Sequence, residues 1–498
     1  MNVNPITRLD YPDPDVIRVE DTYYMVSTTM HFMPGCEILQ SFDLVHWEHA
    51  TYVYETLDHT DAQQLKSGQN IYGQGMWAAS LRYHEGRFYI CFVANDTRKT
   101  YLYTSEKIDG PWKKQLIEGF YHDGSLLFDE DGRNYIVYGN DEIWITELNE
   151  DLTAPKKDGL HRLLVSDHKN PELGYEGSHI QKINGYYYIF LIHSLRDRWM
   201  RTEACFYSDS LEGEFTGGDV LCDDRGYCGQ GVAQGGIVDT PDGKWYAMLF
   251  QDSGAVGRLP ILLPVTWKDH FPVFGQNGHV PEEIEVHSTR PGYIYQPLVG
   301  SDDFCNGLLP RWQFNHDPDP RYYHLDALQG TYTITTREVC TELTQAVNTL
   351  TQRMSYPSCA AEVTVDASAL KEGDVAGLCA FQGCYAAVGI TKHHGKYEVL
   401  MLDKKEDGIL DMTEGTVVES HQMDFRLEAD FCNMKDEARC YYRVNKGDWL
   451  PIGTVHKLYF KLDHFTGCRF GLFCYAAEET GGSACFRDFK YYDIDEIS

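Results

Sequence analysis

Apolar and polar positions alternate in short runs along most of this chain, and turn residues cut the runs at intervals. Val16-Ile17-Arg18-Val19, Tyr135-Ile136-Val137-Tyr138 and Tyr187-Tyr188-Ile189-Phe190-Leu191 read as strands. One phrase, a tight turn followed by aromatics, returns five times. Its copies are Asp21-Thr22-Tyr23-Tyr24, Glu85-Gly86-Arg87-Phe88-Tyr89, Asp131-Gly132-Arg133-Asn134-Tyr135, Asn184-Gly185-Tyr186-Tyr187-Tyr188 and Asp242-Gly243-Lys244-Trp245-Tyr246. Asn-Gly and Asp-Gly between apolar runs are strong hairpin signals, because both turn residues must accept positive φ. The last aromatics are 65, 46, 53 and 58 residues apart. That spacing suits one four-stranded blade per copy and predicts a five-bladed β-propeller.

The repeat also places candidate chemistry. Twelve residues before the last aromatic of the second to fifth copies stand Trp77, Asp123, Glu176 and Gln234; in the shorter first copy, eleven before, stands Asp13. These five positions should open the innermost strand of each blade and converge on the central funnel. Three carboxylates at one repeated position suit acid–base work. Glycosidic cleavage uses one carboxyl to protonate the leaving oxygen and a second to activate water or to attack the sugar. A third can raise the acid's pKa by like-charge repulsion. Asp13 and Glu176 fall in non-adjacent blades, which favours a wide separation and inversion. The bland alternatives are that Asp13 caps a turn among Asp10 and Asp15, that Asp123 is a turn residue, and that Trp77 is core.

Past Arg290-Pro291-Gly292 the phrase is gone. Alternating strands such as Gly330-Thr331-Tyr332-Thr333-Ile334-Thr335 follow, which predicts a jelly-roll β-sandwich. The domains are therefore expected at 1–297 (propeller) and 298–498 (sandwich) of the 498 residues.

Composition narrows the partners. A formal net charge of −32 argues against nucleic acid and anionic membranes. No apolar run is long enough to span a bilayer. Fifteen scattered cysteines without CxxC pairs argue against zinc and a disulfide framework, and suit a reducing compartment. With no basic or apolar leader after Met1, a cytoplasmic location is expected.

Several motifs resemble glycoside hydrolase family 43, the β-xylosidase and α-L-arabinofuranosidase group. Tyr11-Pro12-Asp13-Pro14 matches the motif of its general base, and His122-Asp123-Gly124-Ser125 that of its pKa-modulating Asp. Tyr175-Glu176-Gly177-Ser178 resembles the general-acid motif, and Gly257-Arg258 matches the segment whose Arg contacts the sugar. Trp77-Ala78 matches a pocket aromatic. Asn348 to Arg353 and Gly373 to Leu378 are similar to the concanavalin-like sandwich that follows many members. The resemblance implies an exo-acting, inverting enzyme with Asp13 as base, Glu176 as acid and Asp123 as modulator. Trp77, Arg258 and Gln234 would bind substrate, and the loop before Pro34-Gly35 would bring His31 and Phe32 to the funnel rim. No cofactor is required. Gln234 stands where many members place a His at the axis, so a calcium ion there is not expected. The partner is an oligosaccharide; the residues leave a homo-oligomer open. A retaining fructosidase would carry Asn-Asp-Pro near the N-terminus, which is absent, and a lectin would have no need of three funnel acids.

Overall fold

The computed structural model describes residues 3–413 and 415–494. Five four-stranded antiparallel blades form a propeller. Blade 1 runs Asp15–Val19, Thr22–Ser27, Gly35–Ser41, Glu48–Tyr54; blade 2 runs Ser80–His84, Arg87–Ala94, Lys99–Ser105, Lys113–Ile117. Blade 3 is built from Ser125–Phe128, Asn134–Asn140, Glu142–Leu148 and His161–Ser166, and blade 4 from Glu176–Ile183, Tyr186–Ser194, Arg201–Ser208 and Thr216–Leu221. Blade 5 differs. Its inner strand is split into Val232–Ala233 and Ile237–Asp239, both paired with Trp245–Asp252, before Arg258–Lys268 and Phe271–Phe274. The split falls where Gln234 turns left-handed, with φ 62°.

The repeated phrase is the turn between the two inner strands of each blade. Asn184 and Gly185, with φ of 50° and 84°, show why this turn favours Asn-Gly. The aromatics that follow open the second strand and fill the cores between blades: Tyr23, Phe88, Tyr135, Tyr187 and Tyr246 are all buried. The ring closes through the N-terminal segment. Asn4 Nδ2 donates to the Leu262 carbonyl at 2.7 Å, and Asn4 Oδ1 accepts from the Leu262 amide at 2.8 Å. The Ile6 amide adds a bond to the Pro260 carbonyl at 3.0 Å.

Two antiparallel sheets of nine and seven strands make the C-terminal sandwich. Their facing sides hold a core that includes Phe314, Leu378, Val388, Phe425, Leu427, Phe470, Leu472 and Phe486. That core extends into the propeller through Ala255, Val256 and Leu259. The nine-stranded sheet also takes in the propeller strand Phe32–Met33, which pairs with Gln313–Asn315. The connecting stretch lies along blade 1: the Thr289 amide bonds the Phe42 carbonyl at 2.7 Å, and the Gln296 amide bonds Glu48 Oε2 at 2.8 Å.

Candidate active site

Asp13, Trp77, Asp123, Glu176 and Gln234 all line one cavity of about 630 Å³ at the funnel mouth, together with Arg258. Each stands at or just before the start of an inner strand, or in its break on blade 5. The local backbone is unusual there. Asp13, Asp123 and Gln234 have φ of 53°, 47° and 62°, and on blade 4 the positive φ, 65°, falls on Gly177. Left-handed non-glycine residues are uncommon and concentrate where surrounding structure over-determines them. Gly177 has a second reason to be glycine: a Cβ there would stand 2.8 Å from Gln234 Cγ and Cδ.

Asp13 is buried and held from two sides. Thr28 Oγ1 donates to its Oδ2 at 2.6 Å and Arg258 Nη1 to its Oδ1 at 3.0 Å. Asp123 is held against the backbone beside Glu176, because the Gly177 amide donates to Asp123 Oδ2 at 2.9 Å. Glu176 accepts a bond from Asn140 Nδ2 on its Oε2 at 2.8 Å. Burial, with the charges of Glu176 and Asp13, pushes the Asp123 carboxyl up to about 6 against the pull of His122 and the Gly177 amide. Asp123 and Glu176 thus form a close carboxyl pair, and Asp13, bound to a guanidinium, stands in a blade that is not adjacent to Glu176. Carboxyl groups in such different surroundings can divide acid and base work.

The sandwich supplies one wall. Phe460, Lys461, Leu462 and Phe465 line the cavity, as does Met434. Phe465 lies beneath the Arg258 guanidinium at 4.2 Å and is tilted against Trp77, with ring centroids 5.7 Å apart, and its carbonyl accepts a long bond from Arg258 Nη2 at 3.4 Å. Asp10 ties wall to funnel: its Oδ1 accepts from the Arg258 amide at 2.8 Å and its Oδ2 from the Gly467 amide at 2.7 Å. On the far side Arg201 bonds Asp252 at 2.6 Å, and Trp199 stands partly exposed at the mouth.

His31 and Phe32 do not reach the funnel, contrary to the expectation from the sequence. Pairing of Phe32–Met33 with the sandwich strand draws both into the seam between domains. His31 is fully buried against Phe32, Tyr72 and His316, and the Arg469 guanidinium covers the Phe32 ring at 3.5 Å. The sequence reading also missed His122, Asn140, Arg201, Asp252 and the sandwich wall. His122 adjoins Asp123 and had a signal; the Phe460–Phe465 segment has no repeat to mark it.

Below the cavity Arg82 crosses the centre of the propeller. It donates to Asp15 Oδ2 at 2.8 Å, the Leu126 carbonyl at 2.8 Å, Ser125 Oγ at 2.7 Å and the Ile180 carbonyl at 3.1 Å. The carboxylate there, Asp15, is also paired with His179 at 3.1 Å. At that level of the axis the chain's own cation, Arg82, neutralises the Asp15 carboxylate. Ligand atoms of His122, Asp123 and Glu176 do lie within 4.8 Å of one another. Burial disfavours a charged imidazole, but Asp123, Glu176 and Asp13 outweigh it and raise His122 to about 9.

Residues 3–272 match glycosyl hydrolases family 43, and residues 301–492 match the beta xylosidase C-terminal concanavalin A-like domain. The chain belongs to glycosyl hydrolase family 43. It is a glycosidase, a five-bladed propeller followed by a β-sandwich. It is similar to a beta-xylosidase of Formosa agariphila, 26% identical over 99% of this chain and 89% of the relative. It also resembles a non-reducing end alpha-L-arabinofuranosidase of Bacteroides ovatus, 24% identical over 82% of this chain and 79% of the relative. Among solved structures, a bifunctional GH43-CE protein of Bacteroides eggerthii superposes with a TM-score of 0.92 at 42% identity. The match covers 98% of this chain and 63% of that longer one.

Proposed function

We propose that this glycosidase removes single terminal xylose or arabinofuranose units from hemicellulose oligosaccharides, with inversion and without a cofactor. The observation that carries the reading is the convergence of three blade-start carboxyls in a cavity walled on one side by the sandwich. Such a cavity accepts a chain end rather than a polymer interior. The names of the relatives support the pentose, and the fifteen free cysteines, ten of them buried, support a reducing, cytoplasmic setting.

In this reading Glu176 is the general acid. Asn140 occupies its Oε2, so the transferable proton sits on Oε1. Asp13 is the base that takes a proton from water on the opposite face of the sugar. Arg258 orients Asp13 and the substrate hydroxyls, and Trp77 and Phe465 offer apolar faces to the sugar ring. Asp123 is the modulator, a second carboxyl whose negative charge opposes loss of a proton from its neighbour.

A panel of nitrophenyl xylosides and arabinofuranosides, with unsubstituted oligosaccharides beside them, tests the substrate class. Turnover of none of them would refute it. Glu176→Gln should lower turnover of unactivated oligosaccharides by about 10²–10⁴-fold, and of nitrophenyl substrates much less, since a good leaving group needs little protonation. Equal loss on both would remove Glu176 from the acid role. Asp123→Asn should move the basic limb of the pH–rate profile down. With a nearby negative charge gone, Glu176 releases its proton at lower pH. An unmoved limb with activity retained would leave Asp123 a turn residue.

A further inference from the structure

The cavity side chain that faces both Asp123 and Glu176, His122, has no part in the scheme above. His122 comes from the same turn as Asp123, and its carbonyl is fixed by the Gly139 amide at 3.0 Å. Its ring stands beside Trp77, with centroids 5.9 Å apart. His122 Nε2 is 3.5 Å from Asp123 Oδ2 and 3.6 Å from Glu176 Oε2. It is buried and makes no hydrogen bond. Both facing oxygens are already held from elsewhere, Asp123 Oδ2 by the Gly177 amide and Glu176 Oε2 by Asn140. The nitrogen therefore sits almost midway between the two carboxyls, bonded to neither.

We propose that His122 is a positioning residue, an imidazolium that leans from Asp123 toward Glu176 as Glu176 gives up its proton. The inference rests on the assignment of Glu176 as acid. In the step, the Glu176 O–H bond breaks and the proton bonds the glycosidic oxygen. The bond from that oxygen to the anomeric carbon breaks, a water oxygen bonds the carbon, and the water's proton passes to Asp13. Glu176 is left as a carboxylate close to a second carboxylate, Asp123. Without a cation between them, that repulsion would resist the transfer. A donor already within 3.6 Å of Glu176 needs to move by less than about 1 Å to make a charge-assisted bond of roughly 2.8 Å. Its contact strengthens as the charge develops, so it favours the transition state over the ground state.

The surroundings keep this imidazole charged. The groups facing it are Asp123, Glu176 and, further off, Asp13; burial opposes the charge, and the acids together raise the group to about 9. The other cations lining the cavity are spoken for: Arg201 pairs with Asp252, Arg258 with Asp13 and Lys461 with Glu406. Asp123 and His122 then act on Glu176 in opposite senses. Asp123 holds the proton on, and His122 eases it off.

The opposite signs give the test. His122→Gln should cost unactivated oligosaccharides at least about tenfold more turnover than nitrophenyl pentosides. It should also move the basic limb of the pH–rate profile up, since Glu176 loses a neighbouring cation and becomes a weaker acid. Equal losses on both substrates, or a limb that stays or falls, would overturn the proposal. A second measurement needs no variant and no substrate: nitrogen NMR of labelled histidine in the intact wild-type chain. The His122 imidazole should remain doubly protonated through pH 7.5 and titrate near 9, whereas a neutral ring at pH 7.5 would overturn the proposal. Wild-type protein inert on every pentoside would sink the pentosidase reading, and the imidazole titration would still decide the charge.

Discussion

Asp13→Asn is expected to abolish turnover on every substrate, activated or not, with a loss at the upper end of the 10²–10⁴-fold that a general base typically contributes. A base that activates water is needed whatever the leaving group, so no choice of aglycone should rescue the variant. This distinguishes it from Glu176→Gln. Asn is the right replacement for two structural reasons. It has the shape of Asp, so its carbonyl oxygen still accepts from Arg258, and Thr28 can turn its hydroxyl to face the amide. It also tolerates the left-handed backbone at this position, φ 53°, where most side chains would add strain. Substrate binding should therefore survive, and the loss reports chemistry. One measurement checks the mechanism. Proton NMR of the sugar first formed by the intact enzyme should show the inverted anomer. Retention there would make Asp13 a nucleophile.

The propeller and the five funnel positions were legible because a local rule was repeated. A left-handed turn such as Asn184-Gly185 must be written with residues that accept positive φ, and the aromatics behind it must fill the wedge between blades. Both constraints act within about a dozen residues, so they leave a mark at a fixed distance from the strand start. Asp13, Trp77, Asp123, Glu176 and Gln234 could be found by counting. His31 and Phe32 could not be placed, because their environment depends on a partner nearly three hundred residues away. Nothing around Phe32–Met33 announces that it will pair with Gln313–Asn315 rather than face the funnel. The same holds for Phe465. It stands in a sandwich loop with no periodic pattern, and its role as a wall exists only once two domains are packed. Arg201 and Asp252 are ordinary strand residues until blades 4 and 5 bring them together at 2.6 Å. His122 is a different case. Its position beside Asp123 was visible, but its importance comes from the closely matched distances to two carboxyls, 3.5 and 3.6 Å, which no spacing reveals.

A chain ended near Pro297, which keeps the propeller and its connecting segment, should be insoluble or inactive. The reason lies in what the seam contains. Strand Phe32–Met33 would lose its partner in the nine-stranded sheet, and Phe32 the guanidinium that covers it. Ala255, Val256 and Leu259, now fully or almost fully buried in the sandwich core, would face water. A contiguous apolar surface of that kind drives association. Polar contacts go with it. Arg353 bonds the Asp10 carbonyl at 2.9 Å, covers the Tyr11 ring at 4.1 Å and pairs with buried Glu37 at 2.8 Å. Gln313 bonds the Pro34 carbonyl at 2.7 Å, and the Cys468 amide bonds the Ala255 carbonyl at 2.8 Å. Asp10 and Tyr11 are within three residues of Asp13, so the loop that carries the base is braced from the sandwich. Any soluble propeller recovered should still lack activity, because Phe465 no longer backs Arg258 and the cavity is open on that side. Full-length enzyme should release monosaccharide from linear xylo-oligosaccharides at the earliest time points. If the truncated chain were soluble and as active as the intact one, the sandwich would be an independent module and the one-sided wall irrelevant to catalysis. If it were active but cut chain interiors, the wall would be what restricts the enzyme to chain ends.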